Sequence, residues 1–235
     1  MSPETKRRVQ IAFLAAFALA AIRLGYVLYE RSQPGVQKVA TRQDQALDPD
    51  YYVVPKKLVD YDLKSLKRDL SGRTVWVREG YRFTFYPYGQ QRKRVNLAHE
   101  AGTLGPIERL DIKDVVVAPG TRQQQLMAVF EKNGASYAFP VGAVSGGQYE
   151  IVTDEILYIQ DPHELYRHWP ADVWQAVDRH EVKPGMNEIQ ATFAIGMGVP
   201  ERQSSADEKT VHYPNGGNPV TILYRNGHAA EIKRG

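Results

Sequence analysis

"VKPGMNEIQATFAIGMGVP" at residues 182–200 has the pattern of a short helix with a defined start and end. Asn187 is a favoured N-cap residue type, and Gln190 three residues later gives the spacing of a capping box, with Asn in place of the usual Ser or Thr. Gly196 is a typical helix terminator. The apolar residues expected on one face are Met186, Ile189 and Phe193. The stretch therefore predicts a capped amphipathic helix.

Strand-like runs follow this helix. "KTVHYP" (209–214) and "PVTILYRNGHAAEIK" (219–233) are rich in β-branched and aromatic residues, and Asn226-Gly227 divides the second run with a strong hairpin signal. Residues 182–235 are therefore predicted to form one helix followed by an antiparallel three-stranded sheet.

The preceding region, residues 51–160, is predicted to be β-rich. Its strand-like runs cover residues 73–159, and Asn133-Gly134 marks one hairpin. Residues 58–72 predict a short amphipathic helix that ends at Gly72. So many short antiparallel strands suggest a curled sheet or a small barrel, of which an SH3-like barrel is one arrangement.

The N-terminus has the features of an export signal. Lys6, Arg7 and Arg8 precede an uninterrupted apolar run at residues 11–22. A signal peptide cleaved near Ala21 is one interpretation. We favour the other, in which apolar character extending to Tyr29 gives a transmembrane helix with a cytoplasmic N-terminus and an exported, periplasmic remainder.

The expected fold class is α+β, with an N-terminal transmembrane helix. The connector between the β-rich and C-terminal parts begins at Asp161-Pro162, a helix start signal. The predicted segments are a signal anchor at 1–30, a polar linker at 31–50, a β-rich domain at 51–160, a helical connector at 161–181 and an α/β module at 182–235.

Composition limits the chemistry. The chain has 235 residues, no cysteine and a net charge of +3. The absence of cysteine excludes disulfides, thiolate metal sites, a cysteine nucleophile and a lipidated cysteine. The small net charge gives no sign of nucleic-acid binding.

Four stretches contain residue types that could carry chemistry, but none has the spacing that would assign it a catalytic role. His163 and His168 in "HELYRH" are five residues apart rather than the four of a zinc-binding helix, which favours solvent-facing polar residues. The Gly-rich residues 141–148 lack the Lys-Ser/Thr of a phosphate loop and predict a β-turn. A hydrolytic or metal site would need His99, Glu100, Asp111 and Asp114 to come together.

The fourth stretch, "QQRKR" at residues 90–94, lies beside an aromatic run and predicts a charged hairpin tip, with lipid head groups or peptidoglycan as the functional alternative. Several aromatic residues of the C-terminal half are expected in the core. They are Trp169, Trp174, Tyr213 and Tyr224.

The C-terminal residues 182–235 resemble the BamE/SmpA/OmlA family of small outer-membrane assembly lipoproteins. Gly185, Met186 and Gln190 match the family's helix start, and Gly198-Val199-Pro200 lengthens its exit. Asn187 replaces the family threonine, the lipidated cysteine is absent, and an extra β-rich region precedes the module. The resemblance implies a non-enzymatic envelope module that supports outer-membrane assembly or integrity.

The expected function is a membrane-tethered envelope scaffold or adaptor. Its expected partners are the membrane, through the N-terminal helix, and envelope proteins, with lipid head groups as a further option and no nucleic acid. No catalytic, cofactor-binding or metal residue is assigned, and no cofactor is expected. Two alternatives stay open: a lipid or small-molecule carrier with an apolar cavity in the β-rich part, and an exported hydrolase that uses the four residues named above.

Overall fold

The structure is a computed structural model, and the residues that it describes are 21–26, 29, 48–120, 123–202 and 208–235. It divides into two compact units, Met1–Asp48 and Pro49–Gly235. In the first unit, residues 21–26 and 29 are helical. All that follows concerns the second unit.

The predicted transmembrane helix requires a correction. No helix within the described ranges is long and apolar enough to cross a membrane. The described helical residues, 21–26 and 29, are far fewer than the ~20 that a spanning helix needs. The rest of the predicted span, residues 1–20, 27, 28 and 30, lies outside the described residues.

The β-rich part forms a nine-stranded antiparallel sheet. Its strands are β1 (Thr74–Val77), β2 (Phe83–Gly89), β3 (Arg94–Val95), β4 (Gly102–Leu104), β5 (Arg109–Ala118), β6 (Gln124–Lys132), β7 (Ala135–Ser145), β8 (Gln148–Ile151) and β9 (Leu157–Tyr158). The main path runs β3-β2-β7-β6-β5-β1-β9, with β4 paired to β2 and β8 paired to β7. Among the described residues no pairing joins β9 back to β2, β3 or β4, so the path does not close into an SH3-like barrel.

A packed apolar core fills one side of this sheet. Helix α1 (Leu63–Leu70) covers it with Leu66 and Leu70, which are fully buried. The aromatic residues of this core contact one another at ring-centroid distances of 4.9–6.0 Å and are Phe83, Phe85, Phe130, Tyr137 and Phe139. Such edge and tilted contacts fill the space between strands with aromatic volume.

The C-terminal part has a second sheet with one strand more than predicted. Its strands are β10 (Val199–Pro200), β11 (Glu208–Tyr213), β12 (Val220–Arg225) and β13 (His228–Arg234), paired in that order. The additional strand, β10, is a two-residue edge pair with β11. Its proline is compatible with an edge position, and so short a pairing leaves no alternating pattern for sequence analysis to detect.

Helix α5 (Glu188–Ile195) starts and ends as the opening stretch predicts, but its expected apolar face is only partly buried, because Met186 and Phe193 are buried whereas Ile189 is exposed. The Asn187 side chain accepts a hydrogen bond from the Gln190 backbone N–H at 2.8 Å, and the Gln190 side chain accepts one from the Asn187 N–H at 3.0 Å. The predicted capping box is confirmed. Gly196 ends the helix with a φ of 92°, a conformation that favours glycine.

Two short helices, α3 (Pro162–Leu165) and α4 (Ala171–Asp178), lie between β9 and α5, whereas α2 (Thr153–Ile156) lies between β8 and β9 of the first sheet. Asp161 caps α3 by accepting from the His163 N–H at 2.9 Å, as Asp161-Pro162 predicted. Helix α4 packs against α5. The aromatic residues expected in the core are confirmed as buried, namely Trp169, Trp174, Tyr213 and Tyr224.

Residues 49–61, here called the crossing segment, tie the two parts together. Val53 packs against the C-terminal core and Leu58 against the β-rich core. Its Asp50 side chain is buried and accepts three hydrogen bonds. The donors are His168 Nε2 at 2.6 Å, Trp169 Nε1 at 2.6 Å and Asn187 Nδ2 at 3.0 Å. Because Asn187 also caps α5, one amide side chain serves both the helix start and this tie.

Candidate functional site

A groove of about 550 Å³ lies between the residues that follow β1 and helix α5. Its lining residues are Lys57, Arg78, Glu79, Tyr81, Glu155, Tyr166, Glu188, Ile189, Thr192 and Met197. They come from the crossing segment, the β1–β2 turn, α2, the connector and α5. The groove thus exists only when both parts of the unit are in place.

Arg78 lies in the wall of the groove, and its guanidinium has few hydrogen-bond acceptors. Its Nη1 contacts the Asp154 carbonyl and its Nη2 contacts Glu79, each at 3.4 Å, while its Nε is buried with no partner in the described part of the chain. The guanidinium lies 5.0 Å from the centre of the Tyr158 ring. A guanidinium has five N–H donors and bonds best near 2.9 Å, so this one has donor capacity left for an acceptor in the groove.

Two tyrosines, Tyr158 and Tyr166, lie near Arg78. Burial raises the pKa of Tyr158, and the nearby Glu79 carboxylate, which accepts a hydrogen bond from the Tyr158 hydroxyl, raises it further. Burial also raises the pKa of Tyr166. Both phenols therefore stay protonated at neutral pH and act as neutral hydrogen-bonding groups. This arrangement favours polar recognition over proton abstraction.

The mouth of the groove is apolar. Tyr81, Ile189 and Met197 are exposed by 37%, 38% and 63%. Met197 lies over Gly80, where a Cβ would come within 3.0 Å of the Met197 methyl group and where φ is +83°. Any larger residue at Gly80 would therefore disturb the backbone and displace this lip.

The charges of the groove are only partly balanced. Glu188 forms an ion pair with Lys209 at 2.7 Å, and Lys57 lies 3.8 Å from Asp154. The Glu155 carboxylate has no hydrogen bond or ion pair among the residues with described positions. The groove therefore offers one uncompensated carboxylate beside an apolar lip.

The four residues of the hydrolase alternative have separate partners. Asp111 accepts from Thr74 Oγ1 at 2.6 Å and lies 3.3 Å from Arg109. Asp114 forms an ion pair with Lys67 at 3.3 Å, while His99 and Glu100 are exposed in the loop before β4. No hydrogen bond or ion pair joins any two of these four in the described structure. Within the same residues, no group of three or more His, Asp or Glu side chains could hold a metal ion.

The two histidines of "HELYRH" have structural contacts. His163 lies 3.0 Å from Asp161 and 3.1 Å from Asp178, and its ring stacks on Trp174 at 4.0 Å. His168 binds the buried Asp50. His168 is exposed, as predicted, although its Nε2 also contacts the buried Asp50 carboxylate.

The Gly-rich stretch and the basic stretch are both hairpin turns. Gly146 and Gly147 join β7 to β8 with positive φ values, as expected for a turn. Residues 90–93 join β2 to β3. The charged groups of Arg92, Lys93 and Arg94 form no ion pair with any described residue, as the predicted charged tip implies.

Sequence reasoning did not find the groove. Its members, from Lys57 to Met197, are spread over most of the unit and carry no motif spacing. "REG" at residues 78–80 gives the one local signal, a glycine turn beside two charges. Comparison of the chain with models of protein families, with curated proteins and with solved structures finds no match.

Proposed function

We propose that this protein is a non-enzymatic adaptor that binds a peptide segment of a partner protein in the groove between Arg78 and helix α5. The observation that carries the proposal is the exposed apolar lip of Tyr81, Ile189 and Met197 above the under-bonded Arg78. Exposed apolar surface around a concave site is typical of protein docking sites.

The chemistry of the groove indicates which peptide would fit. An apolar side chain can pack on the lip, and the Arg78 guanidinium can donate to a peptide carbonyl. The unpaired Glu155 carboxylate complements a Lys or Arg side chain. The proposed ligand is therefore a short segment that has an apolar residue next to a basic one.

The test is a selection of displayed random peptides on the full chain, followed by titration of the enriched peptides. Ile189→Glu is expected to weaken binding by roughly tenfold or more, since it places a charge in the apolar lip. Val117→Glu on β5 is the matched control, because Val117 and Ile189 are both 38% exposed.

Two outcomes would contradict the groove proposal. One is that no peptide is enriched. The other is that Ile189→Glu and Val117→Glu affect binding equally, which would locate the interaction elsewhere. If the enriched peptides have an apolar residue next to a basic one, and Glu155→Gln abolishes this preference, the result would support contact of the basic residue with Glu155.

The cellular setting is proposed from the resemblance of residues 182–235 to the BamE/SmpA/OmlA family. We infer that the adaptor works in the cell envelope. Cross-linking of cells that express the tagged full-length protein should capture envelope-assembly proteins, and Ile189→Glu should capture less of them. Capture dominated by cytoplasmic proteins would contradict this setting.

A further inference from the structure

The crossing segment has two chemically different sides. Its inward side carries the anchoring residues Val53 and Leu58 together with two acidic residues, Asp50 and Asp60, whose side chains are buried. The Lys56 N–H also donates to Gln160 Oε1 at 2.8 Å, which fixes the backbone to the fold. The segment is thus held in place from its inner side.

The outward side is apolar and cationic. Five large side chains are exposed between 55% and 83%, namely Tyr51, Tyr52, Val54, Val59 and Tyr61. Lys56 and Lys57 are exposed between them. Both acids of residues 49–61 are buried, so the exposed charges of this range are its two lysines, of which Lys57 lies 3.8 Å from Asp154.

This combination matches the interface of a lipid bilayer. Tyrosine side chains favour the head-group level, and lysines extend their ammonium groups towards anionic phosphates while their stems cover apolar surface. Apolar side chains on a fixed backbone can enter only the boundary between head groups and acyl chains. The exposed lysines supply the charge complementarity to an anionic surface.

We propose that the outward side of residues 51–61 docks on an anionic lipid surface, with Val54 and Val59 entering the head-group boundary. This surface shares Lys57 with the lining of the groove, but none of its five exposed apolar and tyrosine side chains lines the groove. The proposal goes beyond the adaptor function and does not depend on a ligand in the groove.

The test uses a local probe in the full chain. Since the chain has no cysteine, Val54→Cys can carry a single polarity-sensitive fluorophore. Tyr149→Cys on β8, which is 40% exposed, carries the same fluorophore as the control. A local probe is needed because the apolar run at residues 11–22 is expected to contribute to vesicle binding of the whole chain.

Vesicles that contain phosphatidylglycerol in phosphatidylcholine should shift the fluorescence at position 54 to the blue, and nitroxide-labelled lipids should quench it. The control position and pure phosphatidylcholine vesicles should show neither effect. Lys56→Gln with Lys57→Gln should raise the anionic lipid concentration needed for half of the shift by roughly thirtyfold.

A probe at position 54 that stays water-exposed while the protein is bound to anionic vesicles would overturn the proposal. A blue shift that grows with protein concentration in the absence of vesicles would also overturn it, because the ridge would then be covered by a second copy of the chain. Circular dichroism of each variant establishes that the fold is intact.

Discussion

The two buried aspartates of the crossing segment differ in their surroundings. Asp50 receives three donors, whereas neither carboxylate oxygen of Asp60 meets a donor in the described structure. Burial raises the pKa of Asp60, and the neighbouring Asp69 carboxylate raises it further. A single proton shared with Asp69 would satisfy Asp60, which an ionised pair of carboxylates cannot do.

Asp60→Asn is therefore expected to raise the free energy of unfolding by about 1–2 kcal/mol at neutral pH, because the amide has no charge to bury and can donate to Asp69. The folded-state pKa lies above the unfolded one, so the acid is tolerated at low pH and its penalty grows as pH rises through the folded pKa. Urea unfolding at neutral pH and near the ordinary carboxyl pKa measures the difference.

Asp62→Asn is the control for this prediction. Hydrogen bonds from the Ser65 backbone and side chain lower the pKa of Asp62, so its charge favours folding above the unfolded pKa, which is the opposite sign. Asp62→Asn should therefore not raise the free energy of unfolding at neutral pH. An equal gain from both variants would mean that a general loss of negative charge is responsible.

At the scale of elements, the start of α5 depends on more than helix capping. Ser, Asp and Asn are about equally good at an N-cap, so capping alone predicts that Asn187→Ser and Asn187→Asp are both tolerated. Asn187 also donates to the buried Asp50 at 3.0 Å. Serine would lose this donor, and aspartate would place a second carboxylate against Asp50.

The free energy of unfolding is therefore expected to be highest for the wild type, about 1–2 kcal/mol lower for Asn187→Ser, and lowest for Asn187→Asp. Urea unfolding followed by far-UV circular dichroism measures it. The same serine substitution at Asp62, the cap of α1 that has no Asp50 beside it, is the control. Equal stability of all the Asn187 variants would show that the bond to Asp50 contributes nothing.

At the scale of the whole molecule, the Asp50 tie holds the crossing segment to the C-terminal part. Asp50→Ala leaves donors of His168, Trp169 and Asn187 without their acceptor in a buried site. The expected loss is about 3 kcal/mol in the free energy of unfolding. Guanidinium unfolding monitored by tryptophan fluorescence measures it, and Glu150→Ala at an exposed position on β8 is the control. A loss no larger than that of the control would contradict the role of the tie.

Local features were predictable because neighbouring residues encode them. Asn133-Gly134 and Asn226-Gly227 adopt positive φ at all four residues and join β6 to β7 and β12 to β13, as the dipeptides predicted. The same holds for the cap at Asn187. Such preferences arise from the sterics and hydrogen bonding of adjacent residues, and the long-range fold does not need to be known.

The pairing of distant strands was not predictable in this way. β1 pairs with β9 about eighty residues along the chain, through Trp76 and Tyr158, and β10 adds an edge to the second sheet. Periodicity says which face of a strand is buried, but it does not name the partner. The barrel and the three-stranded sheet were wrong for this reason.

The helix caps, the hairpin turns, the α+β character and the buried aromatic residues could be predicted from sequence, because each follows from local chemistry or from hydrophobicity. The groove, the partners of Asp50 and the outward face of the crossing segment become visible only in the folded chain. These features depend on which distant residues come into contact. The hydrophobic effect favours such contacts but is non-directional, so it does not specify the partners. The candidate site therefore depends on tertiary contacts between distant residues, whereas the helices and turns around it are encoded locally.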